Sequence, residues 1–418
     1  MNTLVPGITA FCFLLLAFAG IKRFSQYSPL PAEAWILIIG IGYGLLLKNT
    51  DTGWLPEIVF DPQVVLFLFL PLLIFASGRL INLKTFKSEA LSIGFFATVG
   101  VLVTCVVIGI PIAWILDIPL LHGLLIGAAA SATDPTAIAT LFNVFNIPQR
   151  LSLILEGESL FNDSTTVVLF ALIMGLLFTD SMFDLTHSVL HFIWIIFAAM
   201  LLGALLGWLG AKLLTLLGQD QMYFNISLGL ALAYSGFLIS EKVLNASGVI
   251  TVLMAAIVFT RSWDINYRSS DTLKSGDNNN SSSEVIKSFW EYITDIINGL
   301  IFFALGTATG NHNFEDTPSF AVIVSIAALI TARFVLIYAG GSLLRLVKKP
   351  LSIAWKHVLF LGGLKGSISA ALVLLIPHDY AYRSYFLCLA FAMIAFSLIV
   401  QPVLVKLYLK RANLSNNH

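Results

Sequence analysis

Thirteen apolar runs follow one another along this chain, and most are long enough for a helix to cross a bilayer, which takes ~20 residues. The sequence is 58% hydrophobic and 11% charged, with a mean hydropathy of +0.91, unlike soluble domains. This pattern predicts an all-α polytopic membrane protein with about 13 transmembrane helices. The predicted spans are 4–21, 34–48, 62–78, 90–116, 119–143, 150–178, 188–217, 222–240, 246–260, 288–310, 318–346, 354–376 and 384–408.

Charge and cysteine content argue against several other classes of protein. The formal net charge is zero, so the composition gives no sign of nucleic-acid binding. All three cysteines lie in apolar runs, and none has a metal-ligating spacing. We therefore expect no disulfide framework and no resident cofactor.

The positions of lysine and arginine predict how the chain is oriented, because cytoplasmic loops are enriched in both residues. Of the 23 such residues, eighteen fall at predicted inner loops and span ends, three on the outer side and two within spans. Lys22 and Arg23 follow the first apolar run, which is the reverse of a secretory signal. We expect a multi-pass protein of the cell membrane, with its N-terminus outside and its C-terminus in the cytoplasm.

A single membrane transporter unit is predicted over residues 1–410, with two polar segments. Residues 261–287 contain SGDNNNSSSE, and this composition predicts a disordered cytoplasmic loop. Residues 411–418 are expected to form a short cytoplasmic tail, and no separate soluble domain is expected after the last span.

The stretch from Ser131 to Asp163 carries the most informative polar residues of the chain. Asp134, Glu156 and Glu158 also lie in this stretch, flanked by apolar runs. Carboxylates at bilayer depth persist mainly where they face protein, water or an ion. A proline directly follows the first of these acids, and proline interrupts a helix. The stretch therefore predicts a broken helix with a carboxylate at the break.

A second interruption is predicted in the twelfth run, which contains GGLKGSIS from Gly362 to Ser369. The two interrupted runs are seven spans apart, and this odd offset gives the corresponding halves opposite orientations. Paired interruptions in inverted repeats indicate a binding site at the interface of the repeats.

The two deep aspartates are predicted to meet near the middle of the membrane. Asp163 lies ~20 Å from the inner end of its span, on the face of Glu156 and Ser159, and Asp134 lies at a similar depth. Side-chain oxygens and freed backbone carbonyls suit a small hard cation. The candidate ligands are Asp163, Asp134, Ser159 and Thr133. A group that holds either a proton or a cation, but not both, gives the chemistry of an antiporter.

Neighbouring charged residues also have structural interpretations. Both deep aspartates could instead cap helices or bond within the bundle. Glu158 is expected to pair with Arg333, which lies in mid-span and needs a buried anion. Lys365 is expected to offset charge or helix ends near the break. Glu156, about two turns from the inner surface, is either a funnel or pH-sensing group or a solvated acid.

Five motifs, in order along the chain, resemble those of one known family. ATDPTAIATLF, EGESLFND, FWEYITDIINGLIFFALG, TARFVL and GGLKGSIS are similar to segments of the NhaP-type sodium/proton antiporters, in the monovalent cation:proton antiporter 1 branch of the cation/proton antiporter superfamily. The resemblance implies a homodimer with interleaved core and dimerisation subdomains, two crossed discontinuous helices and elevator-like alternating access. The ion-site helices would lie at about 119–143, 150–178, 318–346 and 354–376.

The resemblance also implies roles for individual residues. It places the cation at Asp163, with Thr133, Asp134 and Ser159 nearby. It further implies that Asn162 steadies the crossing and that Glu158 pairs with Arg333. One position departs from the family pattern, because Ala76 stands where an acidic residue is common in the third span. The soluble C-terminal regulatory region of some relatives is also expected to be absent.

The sequence thus predicts a secondary antiporter, not an enzyme, that exchanges Na⁺, with Li⁺ as a second ion, for H⁺. An electroneutral 1:1 cycle is expected. Superfamily members with two adjacent aspartates at this position tend to be electrogenic, and this chain resembles the branch with asparagine first, at Asn162. Asp163 alone would also trade one proton for one monovalent ion. A K⁺/H⁺ antiporter is the near alternative, since side-chain types do not separate the two ions. More distant alternatives are an intramembrane aspartyl protease and a cation channel.

Overall fold

The computed structural model describes residues 4–25, 27–28, 30–49, 61–79, 83–134, 142, 145, 147–178, 185–217, 222–271, 278–311, 317–344 and 351–411. Every regular element within these ranges is helical. We number the helices α1 (Leu4–Ser25), α2 (Ala32–Asn49), α3 (Pro62–Arg79), α4 (Leu83–Ile115), α5 (Leu120–Ala129), α6 (Gln149–Phe178), α7 (Leu185–Leu217), α8 (Met222–Lys242), α9 (Gly248–Asp271), α10 (Asn278–Asn311), α11 (Ser319–Leu343), α12 (Ile353–Leu361), α13 (Ser367–Leu374) and α14 (Arg383–Arg411).

The predicted all-α polytopic membrane fold is confirmed. Among the described residues, nine helices are long and apolar enough to cross a membrane: α2, α3, α4, α6, α7, α8, α10, α11 and α14. Helix α5 and the apolar part of α9 are shorter. The predicted twelfth span consists of two short helices, α12 and α13, which confirms that this run is interrupted. The total of thirteen spans stays a prediction.

The segment predicted as a disordered loop over 261–287 is largely helical. Helix α9 continues to Asp271 and α10 begins at Asn278, so only residues 272–277, outside the described ranges, separate the two helices. The segment contains no proline, so nothing in it removes a backbone donor that a helix needs. The helices of the two flanking apolar runs can therefore extend into the polar residues. Polarity alone was therefore a poor indicator of a loop here.

The chain divides into two compact units, each built from segments that are not contiguous in sequence. The first contains Met1–Pro62, Lys87–Phe178 and Asn298–His418, and the second contains Gln63–Phe86 and Thr179–Ile297. Both predicted broken runs and their neighbouring charged residues belong to the first unit. The candidate site can therefore be described within that unit alone.

In the first unit, α2 and α10 approach closely through glycines four residues apart. Gly40 and Gly44 of α2 face Gly306 and Gly310 of α10. A Cβ atom on Gly40 would lie 2.6 Å from the carbonyl oxygen of Phe303, so a larger residue would force the helices apart. Small residues at such contacts allow membrane helices to gain van der Waals contact without a hydrophobic driving force.

The second unit has an aromatic core. The ring of Phe75 lies 5.0 Å from that of Trp290 and 6.3 Å from that of Phe259, between centroids. The guanidinium of Arg79 lies 5.7 Å from the Trp290 ring, a cation–π arrangement. Ala76 is buried on this same helix α3.

Candidate ion-binding site

The first interruption begins earlier than the sequence predicts. Helix α5 ends at Ala129, four residues before Thr133, and residues 132–134 are not helical. The hydroxyl of Ser131 donates to the carbonyls of Gly127 (2.8 Å) and Val101 (3.2 Å), which anchors the end of α5 to α4. Ala132 and the two residues after it therefore have backbone groups that no longer bond within a helix. Pro135 lies outside the described residues.

The second interruption lies at the predicted glycines. Helix α12 ends at Leu361 and α13 begins at Ser367, with Gly363 and Gly366 in the extended segment between them. A Cβ atom on Gly363 would lie 2.5 Å from Nε of Arg333, and one on Gly366 would collide with Cβ of Asp134. Only glycine leaves room for these two approaches.

The two interruptions meet and satisfy each other's backbone groups. The amide of Asp134 donates to the carbonyl of Leu364 at 2.9 Å. The carbonyl of Ala132 accepts from Nζ of Lys365 at 3.1 Å and from Oγ of Ser369 at 3.3 Å. The predicted contact of Lys365 with a helix end is present, because its ammonium lies beyond the C-terminus of α5, where the helix dipole is negative. The end of α5 and the interruption between α12 and α13 thus contact each other, whereas the predicted second half of the fifth run lies outside the described residues.

Helix α6 packs its polar face against the first interruption. Ser159 Oγ donates to the carbonyl of Thr133, and Nδ2 of Asn162 donates to Thr133 Oγ1 at 3.2 Å. The hydroxyl of Thr166 donates to Oδ1 of Asn162 at 2.9 Å, so both ends of this amide are fixed. Ser159 and Asn162 are both buried. Asn162 therefore bonds α6 to the first interruption, and its role in steadying the crossing stays a prediction.

Asp163 stands on the same helix, next to this hydrogen-bonded face. It is partly exposed, and it lies close enough to Asp134 and Lys365 for both charges to act on it electrostatically. Asp134 is also partly exposed. The two aspartates are thus neighbours, with one ammonium group near Asp163, and their joint role as an ion site stays a prediction.

Glu158 and Arg333 form the predicted ion pair. Arg333 Nη1 contacts Glu158 Oε1, and Nη2 lies 3.2 Å from Oε2, with the two residues 8% and 1% exposed. Arg333 also donates from Nε (3.0 Å) and Nη2 (2.8 Å) to the carbonyl of Leu359. That carbonyl lies in the last turn of α12, where carbonyls have no helical partner. Arg333 therefore joins α11 to α6 and α12.

Glu156 is exposed, unlike the other residues of this set. Its carboxylate accepts a hydrogen bond from Ser152, one turn earlier on α6. It therefore lies away from the buried face of the helix, in keeping with either a funnel or a solvated acid.

Several further polar residues bond at the site, and the sequence did not single them out. Ser367 donates to Asn298 Oδ1 at 2.6 Å, which attaches α13 to α10. The backbone amide of Lys365 donates to Ser397 Oγ at 2.8 Å. Gln401 lies one turn beyond Ser397 on α14 and is buried. The available signal was the presence of two polar residues, four apart, within the last apolar run.

With this geometry in hand, comparison with known proteins identifies the family. A family model described as sodium/hydrogen exchanger, transmembrane, matches residues 12–411. The chain belongs to the sodium/hydrogen exchanger family. This is a family of transporters, so the chain is a multi-pass membrane protein and not an enzyme, and the predicted family is confirmed.

Individual relatives of this sodium/hydrogen exchanger cover most of its length. The Na⁺/H⁺ antiporter ApNhaP of Aphanothece halophytica is 28% identical over 414 residues, covering 98% of this chain and 75% of that protein. The Na⁺/H⁺ antiporter NhaH of Halobacillus dabanensis is 29% identical over 391 residues, and the match covers 91% of this chain and 92% of that protein. The solved structure of the sodium proton antiporter MjNhaP1 from Methanocaldococcus jannaschii matches with a TM-score of 0.76 and 19% identity, covering 99% of this chain and 100% of that chain. This last match supports the fold.

Proposed function

We propose that this exchanger moves Na⁺ across the membrane in exchange for H⁺, one for one, by alternating access. The observation that carries the proposal is the crossing, where Asp134 and Asp163 lie with Lys365 beside two interrupted helices. The family to which the chain belongs and the printed names of its relatives, which are Na⁺/H⁺ antiporters, support the choice of ions.

The cation would bind at the side-chain oxygens of Asp163, Asp134, Ser159 and Thr133. Thr133 Oγ1 accepts one hydrogen bond from Asn162, and a hydroxyl oxygen has a second lone pair for a cation. Oxygen ligands at a partly exposed, negatively charged position suit a small hard cation. Asp163 would carry the exchange, holding Na⁺ in one half of the cycle and a proton in the other.

The charges at the crossing support an electroneutral cycle. With both aspartates ionised and Lys365 protonated, the three groups sum to one negative charge. One Na⁺ or one H⁺ brings that sum to zero, so the loaded site carries the same charge in both directions. Glu158 and Arg333 neutralise each other and drop out of this sum. The proposal requires Asp134 and Lys365 to keep their charge states through the cycle.

The two interleaved units support a division of labour. We assign the first unit, which contains the crossing, to the transporting core and the second to dimerisation. The working form would be a homodimer in the cell membrane, with the N-terminus outside and Glu156 in a cytoplasmic funnel. The excess of lysine and arginine at predicted inner loops supports this orientation.

The test is proton flux in proteoliposomes that contain the purified protein. Na⁺, Li⁺ and K⁺ are added in turn, and Na⁺ and Li⁺ are expected to drive proton release. Asp163→Asn should abolish this flux and leave folding intact, because it keeps the side chain's shape and removes its exchangeable charge. Asp379→Asn is the matched control, since Asp379 is an exposed acid outside the helices.

If K⁺ but neither Na⁺ nor Li⁺ drives proton flux, the exchanged cation is K⁺ and not Na⁺. Normal flux from Asp163→Asn would remove Asp163 from the site.

A further inference from the structure

Helix α14 presents two buried polar residues to the back of the crossing. Ser397 is 0% exposed and Gln401 is 7% exposed, and residues four apart lie on the same face of a helix. The rest of this part of α14 is apolar. Polar side chains at this depth are costly unless they are bonded, so each needs a partner.

Only one of these two residues has its hydrogen bonds accounted for. Ser397 Oγ accepts from the backbone amide of Lys365 and donates to the carbonyl of Ile394. Among the described residues, no group donates to Oε1 of Gln401, although this oxygen is buried. An acceptor left in this state costs about 1–3 kcal/mol.

Gln401 lines a small cavity with room for about one water molecule. The ammonium-bearing side chain of Lys365 lines the same cavity, with Thr104, Thr133 and Asn162 among the other polar residues. A water molecule at such a position is retained when it makes two to four hydrogen bonds. The cavity supplies both donors and an acceptor within its wall.

The chemistry of the wall selects the ligand. No carboxylate is among the residues that line the cavity, whereas Arg333 and Lys365 are, so a cation is disfavoured there. An anion has no uncompensated charge to bind, because Arg333 is paired with Glu158 and Lys365 lies close to Asp163. A neutral molecule that both donates and accepts fits this wall, and water is the smallest one.

We infer that this cavity is a binding site for a structural water, which accepts from Nζ of Lys365 and donates to Oε1 of Gln401. Ser397 already accepts a hydrogen bond from the backbone amide of Lys365, and the Ala132 carbonyl accepts one from its Nζ. The water adds a third contact that fixes Lys365, so Gln401 is a positioning residue of the exchange site. The positioning role rests on the proposed exchange at Asp163, whereas the water site does not.

The inference predicts a specific defect in cation binding. Without the water, the ammonium of Lys365 has one partner fewer and pairs more closely with the neighbouring carboxylates. It then competes with Na⁺ for them. Gln401→Met keeps the unbranched shape of the side chain and replaces the amide oxygen with a thioether sulfur, a much weaker acceptor. We expect the KM for Na⁺ to rise about three- to tenfold, the fold-change that corresponds to one hydrogen bond, with the maximal rate little changed.

The water is tested directly by X-ray radiolytic labelling in H₂¹⁸O of the full-length protein in detergent, which marks side chains beside bound water. Leu329 and Leu336 are the reporters, because both line the cavity and are only 3% and 4% exposed. Both should gain ¹⁸O in the parent protein and lose most of it in Gln401→Met. Leu404→Met, a change at an exposed position on the same helix, is the matched control for labelling and for KM.

The outcomes separate the parts of the inference. The water site is overturned if neither leucine is labelled in the parent protein, or if both are labelled as strongly in Gln401→Met as in the parent. Loss of labelling with an unchanged KM overturns the positioning role. Absence of Na⁺-driven flux in the parent would count against the proposed exchange and leave the labelling result standing.

Discussion

Separating Arg333 from Glu158 should be among the costliest single changes in the first unit. The carboxylate is 1% exposed, so Arg333→Ala leaves a buried charge without its partner, which typically costs ~3–5 kcal/mol. The same change removes both side-chain donors to the carbonyl of Leu359. A buried carbonyl left unpaired costs a further ~1–3 kcal/mol. We therefore expect a loss of at least ~3–5 kcal/mol, a large part of a typical folding free energy.

The assay is thermal unfolding in detergent, followed by the fraction of protein that stays monodisperse. Lys287→Ala is the control, because Lys287 and Glu291 form an exposed pair at 3.6 Å, and such pairs contribute ~0–1 kcal/mol. The combined change Glu158→Leu with Arg333→Met should regain much of the stability lost in Arg333→Ala, since it leaves no unpaired charge in the interior.

Two results would refute this reasoning. If Arg333→Ala and Glu158→Gln unfold at the temperature of the parent but lose transport, the pair belongs to the ion path and not to the scaffold. If the combined change is no more stable than Arg333→Ala, an uncompensated charge is not the source of the loss.

Three further predictions follow from the crossing and its ends. Gly366→Ala should lower the flux, and it should lower the stability by about 1–3 kcal/mol, because the added methyl collides with Asp134. Gly94→Ala is the control, since it has open space and should be tolerated. Equal stability and flux for the two variants would contradict the close approach of Gly366 to Asp134. Tyr380→Phe removes the hydrogen bond between Tyr380 and His122, which links α5 to the segment after α13. The free energy of unfolding should fall by about 0.5–1.5 kcal/mol, measured by thermal unfolding. An unchanged unfolding temperature would show that this hydrogen bond does not stabilise the protein. Sodium uptake at a fixed pH gradient should be the same at 0 and −100 mV. A cycle that moved one net charge would instead couple to this voltage by about 2.3 kcal/mol. Uptake that changes severalfold between the two voltages would exclude a one-for-one neutral exchange.

Hydropathy and helix-breaking residues predicted the parts of this fold that depend on local chemistry. The interruption at Gly363 and Gly366 lies where the sequence places it, because glycine favours neither helix nor a fixed backbone. The pair between Glu158 and Arg333 was predictable because a buried charge in a membrane needs a counter-charge. Both inferences need only the residue type and its depth.

What the sequence did not predict depends on tertiary contacts. The early end of α5 at Ala129 accompanies the hydrogen bonds of Ser131 to α4 and α5, and proline position alone does not reveal them. The roles of Ser397 and Gln401 depend on which helix lies behind Lys365. The helical ends of α9 and α10 were missed because a polar composition without proline does not stop a helix.

The hydrogen bonds of the crossing constrain how alternating access can occur. The Asp134 amide and the Leu364 carbonyl bond each other, and the Ala132 carbonyl is held by Lys365 and Ser369. Pulling the two interruptions apart would leave these groups unpaired at bilayer depth, where each costs several kcal/mol. A movement that carries the whole crossing as one body keeps every one of these bonds. We therefore expect the Asp134–Leu364 contact to persist in both the inward-open and the outward-open state. A cross-link between the two interruptions at residues that are not proposed ion ligands, such as Ala132 and Ser369, should permit transport.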